Sequence, residues 1–178
     1  MSILFNALAF QLGWFACVLG GANRLPWLGT LVAALIVYWH LHQAQRPGRE
    51  FALLAVVGVL GALWDSLLVA LGWLHYPSGT LMNNTAPHWI IAMWVLFAST
   101  LNVSLRWLRG RRALGALLGA VAGPLAYYAG AGLGGVDITA PLLAFTALAA
   151  GWAVFVPLLI SLSTRLDGMR TVSEPARA

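Results

Sequence analysis

Apolar runs close to twenty residues long follow one another along almost the whole chain, broken only by short polar segments. An α-helix of about 20 residues, rising about 1.5 Å per residue, is what crosses the roughly 30 Å hydrocarbon core of a bilayer. In that core every backbone N–H and C=O must be bonded within the protein, so a series of such runs points to a helical bundle. Composition agrees, because 61% of the residues are hydrophobic and 8% charged, against roughly 45–50% and about 25% in soluble domains. A water-soluble fold could not cover that much apolar surface. At 178 residues the chain is expected to be one transmembrane helical domain, residues 1–178, with a short cytoplasmic tail from about residue 164.

The runs place spans at about Ile3–Leu19, Pro26–His42, Phe51–Trp73, His88–Leu108, Ala113–Leu133 and Ala140–Leu162. The expected fold is thus an all-α membrane protein, a single bundle of about six transmembrane helices. Asn23, Arg24 and Pro26 form a tight break between two barely sufficient runs, so a re-entrant hairpin, leaving five spans, is the alternative. Lysine is absent, and with six spans Arg46, Arg49, Arg106, Arg109, Arg111, Arg112, Arg165, Arg170 and Arg177 fall on one side while Arg24 falls on the other. Short basic loops stay in the cytoplasm, which puts both termini there. The net charge of +5 is therefore a loop bias that can meet anionic lipid, and it does not indicate nucleic-acid binding. The first run lacks a basic leader and a small-residue cleavage site, so it is expected to be a mature helix and not a signal peptide. Cys17 follows bulky Trp14 and Phe15, which disfavours lipidation and makes it a packing residue.

One acid lies deep in an apolar span, Asp65 in Leu63-Trp64-Asp65-Ser66. Such a residue is costly in hydrocarbon and marks a functional site or a fully bonded structural acid. Counting inward from the outer span ends places Gln11, Trp14, Trp94, Pro124 and Tyr127 in a layer with Asp65. Asp65 is the candidate proton-handling catalytic group, with Gln11, Trp14, Trp64, Trp94, Tyr127 and Tyr128 as candidate binding residues around it. As a structural acid it would pair with Arg24 or bond Gln11, Trp or Tyr donors. A second polar layer toward the cytoplasm, Asn6, Tyr38, His40, Ser99, Thr100, Asn102 and Ser104, is expected to bond its own helices and their neighbours. The loop from Leu74 to Pro87 carries His75, Tyr76 and the turn Pro77-Ser78-Gly79, and reads as a connector or as a lid.

Gly115, Gly119 and Gly123 recur every four residues and form a small-residue stripe for close helix approach, with Pro124 and Pro157 as kink positions. Trp27, Trp73, Trp89 and Trp107 lie near span ends as interfacial anchors. The deeper Trp14, Trp39, Trp64, Trp94 and Trp152 need partners for their indole N–H groups in the bundle or in a ligand. There is no phosphate loop, nucleophile elbow, paired carboxylate or cysteine pair. His75, His88 and Asp137 have metal-ligand chemistry without a diagnostic spacing, so no metal site is assigned and any cofactor is unknown.

Asn6, Gln11-Leu12-Gly13-Trp14-Phe15-Ala16-Cys17, Trp64-Asp65-Ser66, Ser99-Thr100-Leu101-Asn102 and Gly123-Pro124-Leu125-Ala126-Tyr127-Tyr128 together resemble the bacterial DUF2878 family, whose function is unknown. The resemblance implies a small polytopic protein of the bacterial inner membrane, with gene neighbours that resemble cyclopropane-fatty-acid synthases and other lipid-modifying proteins. It favours a role in membrane lipid or fatty-acyl modification, with membrane lipids and lipid-modifying membrane enzymes as partners. A small proton-coupled transporter using Asp65, or a scaffold assembling through the glycine stripe, are the alternatives.

Overall fold

A computed structural model describes residues 2–169; Arg170, Arg177 and most of the expected tail lie outside the described residues. Among the described residues there are six α-helices: α1 Ile3–Ala22, α2 Pro26–His42, α3 Pro47–Ala70, α4 His88–Leu101, α5 Arg112–Gly132 and α6 Pro141–Arg165. Prolines open α2, α3 and α6, a position where the missing N–H has no partner to lose. Four helices, α1, α3, α5 and α6, are long and apolar enough to cross a membrane. The protein is a membrane protein built as a helical bundle.

The first two runs are two helices packed along each other. A Cβ on Gly29 would strike the backbone of Cys17, so the fully buried Cys17 is indeed a packing residue at a close crossing. The expected span His88–Leu108 needs correction. Its α-helix stops at Leu101, and a turn then leads to a short 3-10 helix, Arg106–Leu108. Ser99 and Thr100 turn their hydroxyls onto the carbonyls of Leu96 and Phe97 at 2.6 Å each. The Leu105 N–H closes back onto the Thr100 carbonyl at 2.9 Å, a bond of the kind that ends helices. Asn6 of α1 seals this end by accepting from the Ser104 N–H and donating to the Ser99 carbonyl, both at 3.2 Å.

At 14 residues α4 is only about 21 Å long. It can be short because it is the hub, packed by α1, α2 and α3 and touched by α6. The glycine stripe serves within the chain. A Cβ on Gly119 would meet the carbonyl of Trp152, and one on Gly123 its ring, so α5 packs on α6 through these notches.

The helices alternate in direction, so the ends of α1, α3 and α5 gather at one end of the bundle with Arg24, while Arg46, Arg49, Arg106, Arg109, Arg111, Arg112 and Arg165 gather at the other. At the Arg24 end the two long connections pair as β1 Leu74–His75 and β2 Asp137–Ile138, antiparallel, with Leu74 opposite Ile138. The loop after β1 is clamped down. The Ser78 hydroxyl donates to the Gly21 carbonyl at 2.6 Å, the Trp89 indole donates to the Ser78 carbonyl at 3.0 Å, and the Ala86 N–H donates to Ser66 at 3.0 Å.

Candidate functional site: the Asp65 cluster and its cleft

Helix α3 presents Gly58, Gly61, Asp65 and Leu68 along one buried stripe, the three-and-four spacing of a single helix face. A Cβ at Gly61 would run into the Trp94 ring. Bare backbone there lets the indole lie against α3 one turn before the acid, and its Nε1–H donates to Asp65 Oδ2 at 2.7 Å. Tyr127 of α5 and Tyr76 of the loop after β1 each donate to Asp65 Oδ1 at 2.7 Å. Asp65 is 0% exposed, so these three bonds replace its hydration. Burial first, and then the charge of Asp65, push the Tyr76 phenol well above its ordinary value, which keeps it protonated as a donor.

The indoles of Trp94 and Trp152 stack with centroids 4.7 Å apart and planes 15° apart. One leans into the Gly61 notch and the other into that of Gly123. Trp64 fits against Gly151 of α6 in the same way. The indoles of Trp64, Trp94 and Trp152 thus each take space that a Cβ on the facing glycine would fill. The indole N–H groups of Trp64 and Trp152 are buried without an acceptor, each at a cost of about 1–3 kcal/mol.

Beside the cluster lies a cleft of about 90 Å³, several times the roughly 10–15 Å³ that one water requires by this measure. Phe10, Trp14 and Val18 of α1 form one wall and Ala126, Tyr127 and Gly130 of α5 the other, with Met93, Trp94, Phe97 and Trp152 behind and Tyr76 and Trp89 at the loop end. Helices α1 and α5 scarcely touch and Ala126 is exposed, so the cleft faces the flank of the bundle. Its lining is almost wholly apolar. A ligand there would meet Tyr76, Trp94 and Tyr127, which line the cleft, and not the enclosed Asp65.

Of the candidates read from the sequence, Trp94 and Tyr127 reach Asp65, and Trp14 joins them in the cleft. Trp64 lies beside the cluster, in edge-to-face contact with Phe155 at 5.0 Å. Gln11 and Tyr128 are exposed and stand away from the acid. Three residues along a helix turn by about 300°, so Gln11 sits about 60° off the Trp14 face, enough to turn it outward. Arg24 is also exposed, and Asp65 has no cationic partner among the described residues. Tyr76 is the donor that sequence reading left in a loop, since nothing local says that residue 76 folds back under its own connection.

The family model for proteins of unknown function, DUF2878, matches residues 3–158. The chain belongs to the DUF2878 family. The matched region contains Asp65, its three donors and every residue lining the cleft. No curated protein and no solved structure matches this DUF2878 chain.

The second polar layer of this DUF2878 protein is more than a set of self-bonded hydroxyls. Glu50, 0% exposed, accepts from Asn102 Nδ2 at 2.8 Å and from the Gly168 N–H at 3.0 Å, and lies 2.9 Å from His40 Nε2. Arg109 donates to Asn102 Oδ1 at 2.6 Å and to Asp167 at 2.9 Å, and Arg106 donates to Asp167 at 3.1 Å. This clasp ties the ends of α2, α3, α4 and α6 together. Of its members the sequence had marked His40 and Asn102 as a polar layer, while Glu50 and Asp167 stood only as acids among arginines. The histidines at the opposite end do not converge, since His75 bonds Asp137 at 3.0 Å while His88 bonds Thr30 at 2.7 Å and stacks on Trp27.

Proposed function

We propose that this DUF2878 protein acts in membrane lipid or fatty-acyl modification by admitting an acyl chain sideways into the cleft between α1 and α5. The observation that carries this reading is the cleft itself, which is apolar, faces the flank of a membrane bundle and is backed by the buried carboxyl group of Asp65 through its three donors. An alkyl chain entering from lipid gives up no hydrogen bonds there, and the aromatic lining offers extensive dispersion contact. Asp65 is the proton-handling group of the proposal. Tyr76 and Tyr127 are the hydroxyls through which a proton would pass between it and the bound chain.

The test compares the lipid and fatty-acyl profile of a deletion strain carrying wild-type protein or Ala126→Phe at matched membrane levels. Ala126 lines the cleft and is exposed, so a phenyl ring there occludes the cleft without touching the Asp65 bonds. The deletion is expected to alter at least one acyl species, and Ala126→Phe to fail to restore it. An unchanged profile in the deletion, or full restoration by Ala126→Phe, would sink the reading.

The proposed setting is a bacterial inner membrane with the arginine-rich end and both termini in the cytoplasm, and with membrane lipids and lipid-modifying enzymes as partners. The support is the arginine asymmetry between the two ends of the bundle. A reporter fused after residue 178 is expected to read cytoplasmic, and activity of a periplasm-specific reporter there would reverse the orientation.

A further inference from the structure

At the arginine-rich end, away from the Asp65 cleft, α5 and α6 border an open cavity of about 250 Å³ with a mixed lining, in which the exposed Arg111, Arg112 and Arg165 stand over an apolar floor that includes Leu108, Pro157 and Ile160. None of the three arginines has a carboxylate partner among the described residues, because Asp167 is taken by Arg106 and Arg109. Arg111 lies over the Trp107 ring at 5.9 Å, a contact that leaves its guanidinium N–H groups available. Helix α5 begins here with Arg111 at its cap, no side-chain cap bond and no acid in its first turn, so two arginines stand at the positive pole of a helix where an anion is favoured. Arg165 in the last turn of α6 meets the negative pole of that helix. Ser161 and Thr164 donate to carbonyls of their own helix at 2.8 and 2.7 Å, so among the lining side chains the donors left for a ligand are the guanidinium groups.

We propose that this cavity binds the phosphate of an anionic phospholipid headgroup. A phosphate matches forked guanidinium donors in geometry and charge. The cavity also lies at the ends of two membrane-length helices, the level at which headgroups occur and where basic pockets between helices take them. The inference is independent of the acyl-chain reading.

The experiment is native mass spectrometry of the full-length protein in detergent with equimolar phosphatidylglycerol and phosphatidylcholine. The expected result is retention of phosphatidylglycerol over phosphatidylcholine by at least about fivefold, falling to near equal retention in an Arg112→Gln, Arg165→Gln double variant, since each basic residue at the surface is worth about 1 kcal/mol, about fivefold. An Arg112→Lys, Arg165→Lys double variant keeps the charge but not the fork and serves as a control for folding; it is expected to keep a preference between those of the wild type and the glutamine variant. Equal retention of the two lipids, or an undiminished preference in the glutamine double variant, would overturn the proposal. Displacement of phosphatidylglycerol by millimolar glycerol 3-phosphate would also overturn it, by making this a site for soluble phosphate esters.

Discussion

Replacing Asp65 with asparagine is expected to lower the thermal unfolding midpoint of the detergent-solubilised protein by roughly 4–8 °C, the shift for about 2 kcal/mol in a chain of this size. Asp65 supplies two acceptor oxygens to three donors. Asparagine supplies one, which can still serve Tyr76 and Tyr127 on the Oδ1 side. Its amide then faces the Trp94 indole, donor against donor, and leaves a buried N–H without an acceptor at about 1–3 kcal/mol. Tyr127→Phe removes one donor and leaves Asp65 with two, so it is expected to cost less. Asp65→Ala strands all three donors and is expected to cost more than either. The order Ala, Asn, Phe in decreasing damage is the signature of a shared acceptor. A midpoint for Asp65→Asn within 1 °C of wild type would show that the three bonds do not hold the site.

The second large effect is expected at the opposite end. Glu50→Leu leaves the Asn102 amide, the Gly168 N–H and the His40 ring without their acceptor, in a place closed to water. Gly168 is the point where the chain after α6 is fastened, since its N–H binds Glu50 and its carbonyl accepts from the Arg46 N–H at 2.9 Å. Hydrogen exchange of residues 166–169 is therefore expected to speed up by about tenfold or more, the effect of losing about 1.4 kcal/mol of local protection. Glu50→Gln is expected to be much milder. Its oxygen can keep Asn102 and Gly168, and its amide can donate to His40 Nε2 once the imidazole carries its proton on Nδ1. Unchanged exchange in Glu50→Leu would mean that α6 is held by its packing alone.

Between these two sites the chain was unevenly legible. The Asp65 site was half visible, because a lone acid in hydrocarbon must find donors and depth along a helix follows from counting residues. Trp94 and Tyr127 were found in that way. Gln11 was misplaced because depth fixes height but not azimuth, and an error of about 60° turns a side chain from the cleft to the outside. Tyr76 was missed because a loop has no period from which to project its side chains. The clasp was missed for a different reason. Glu50 and His40 lie where spans end, and a charged residue there reads equally well as a headgroup contact until the neighbouring ends are known.

The sequence by itself determined the class of the protein, the positions of its helices to within a few residues except for the end of α4, the gathering of its arginines and the stripe of small residues on α5. Each of these is a property of one segment, set by hydropathy, by the rise of a helix or by the missing Cβ of glycine. Only the tertiary structure decided which segments meet. It made the short α4 the hub, spent the glycine stripe on α6, put two stacked indoles between notches on α3 and α5, and brought a loop tyrosine to Asp65. Those choices belong to no single segment, because a buried polar group is satisfied, and a notch filled, only by whichever neighbour the packing of all six helices brings there.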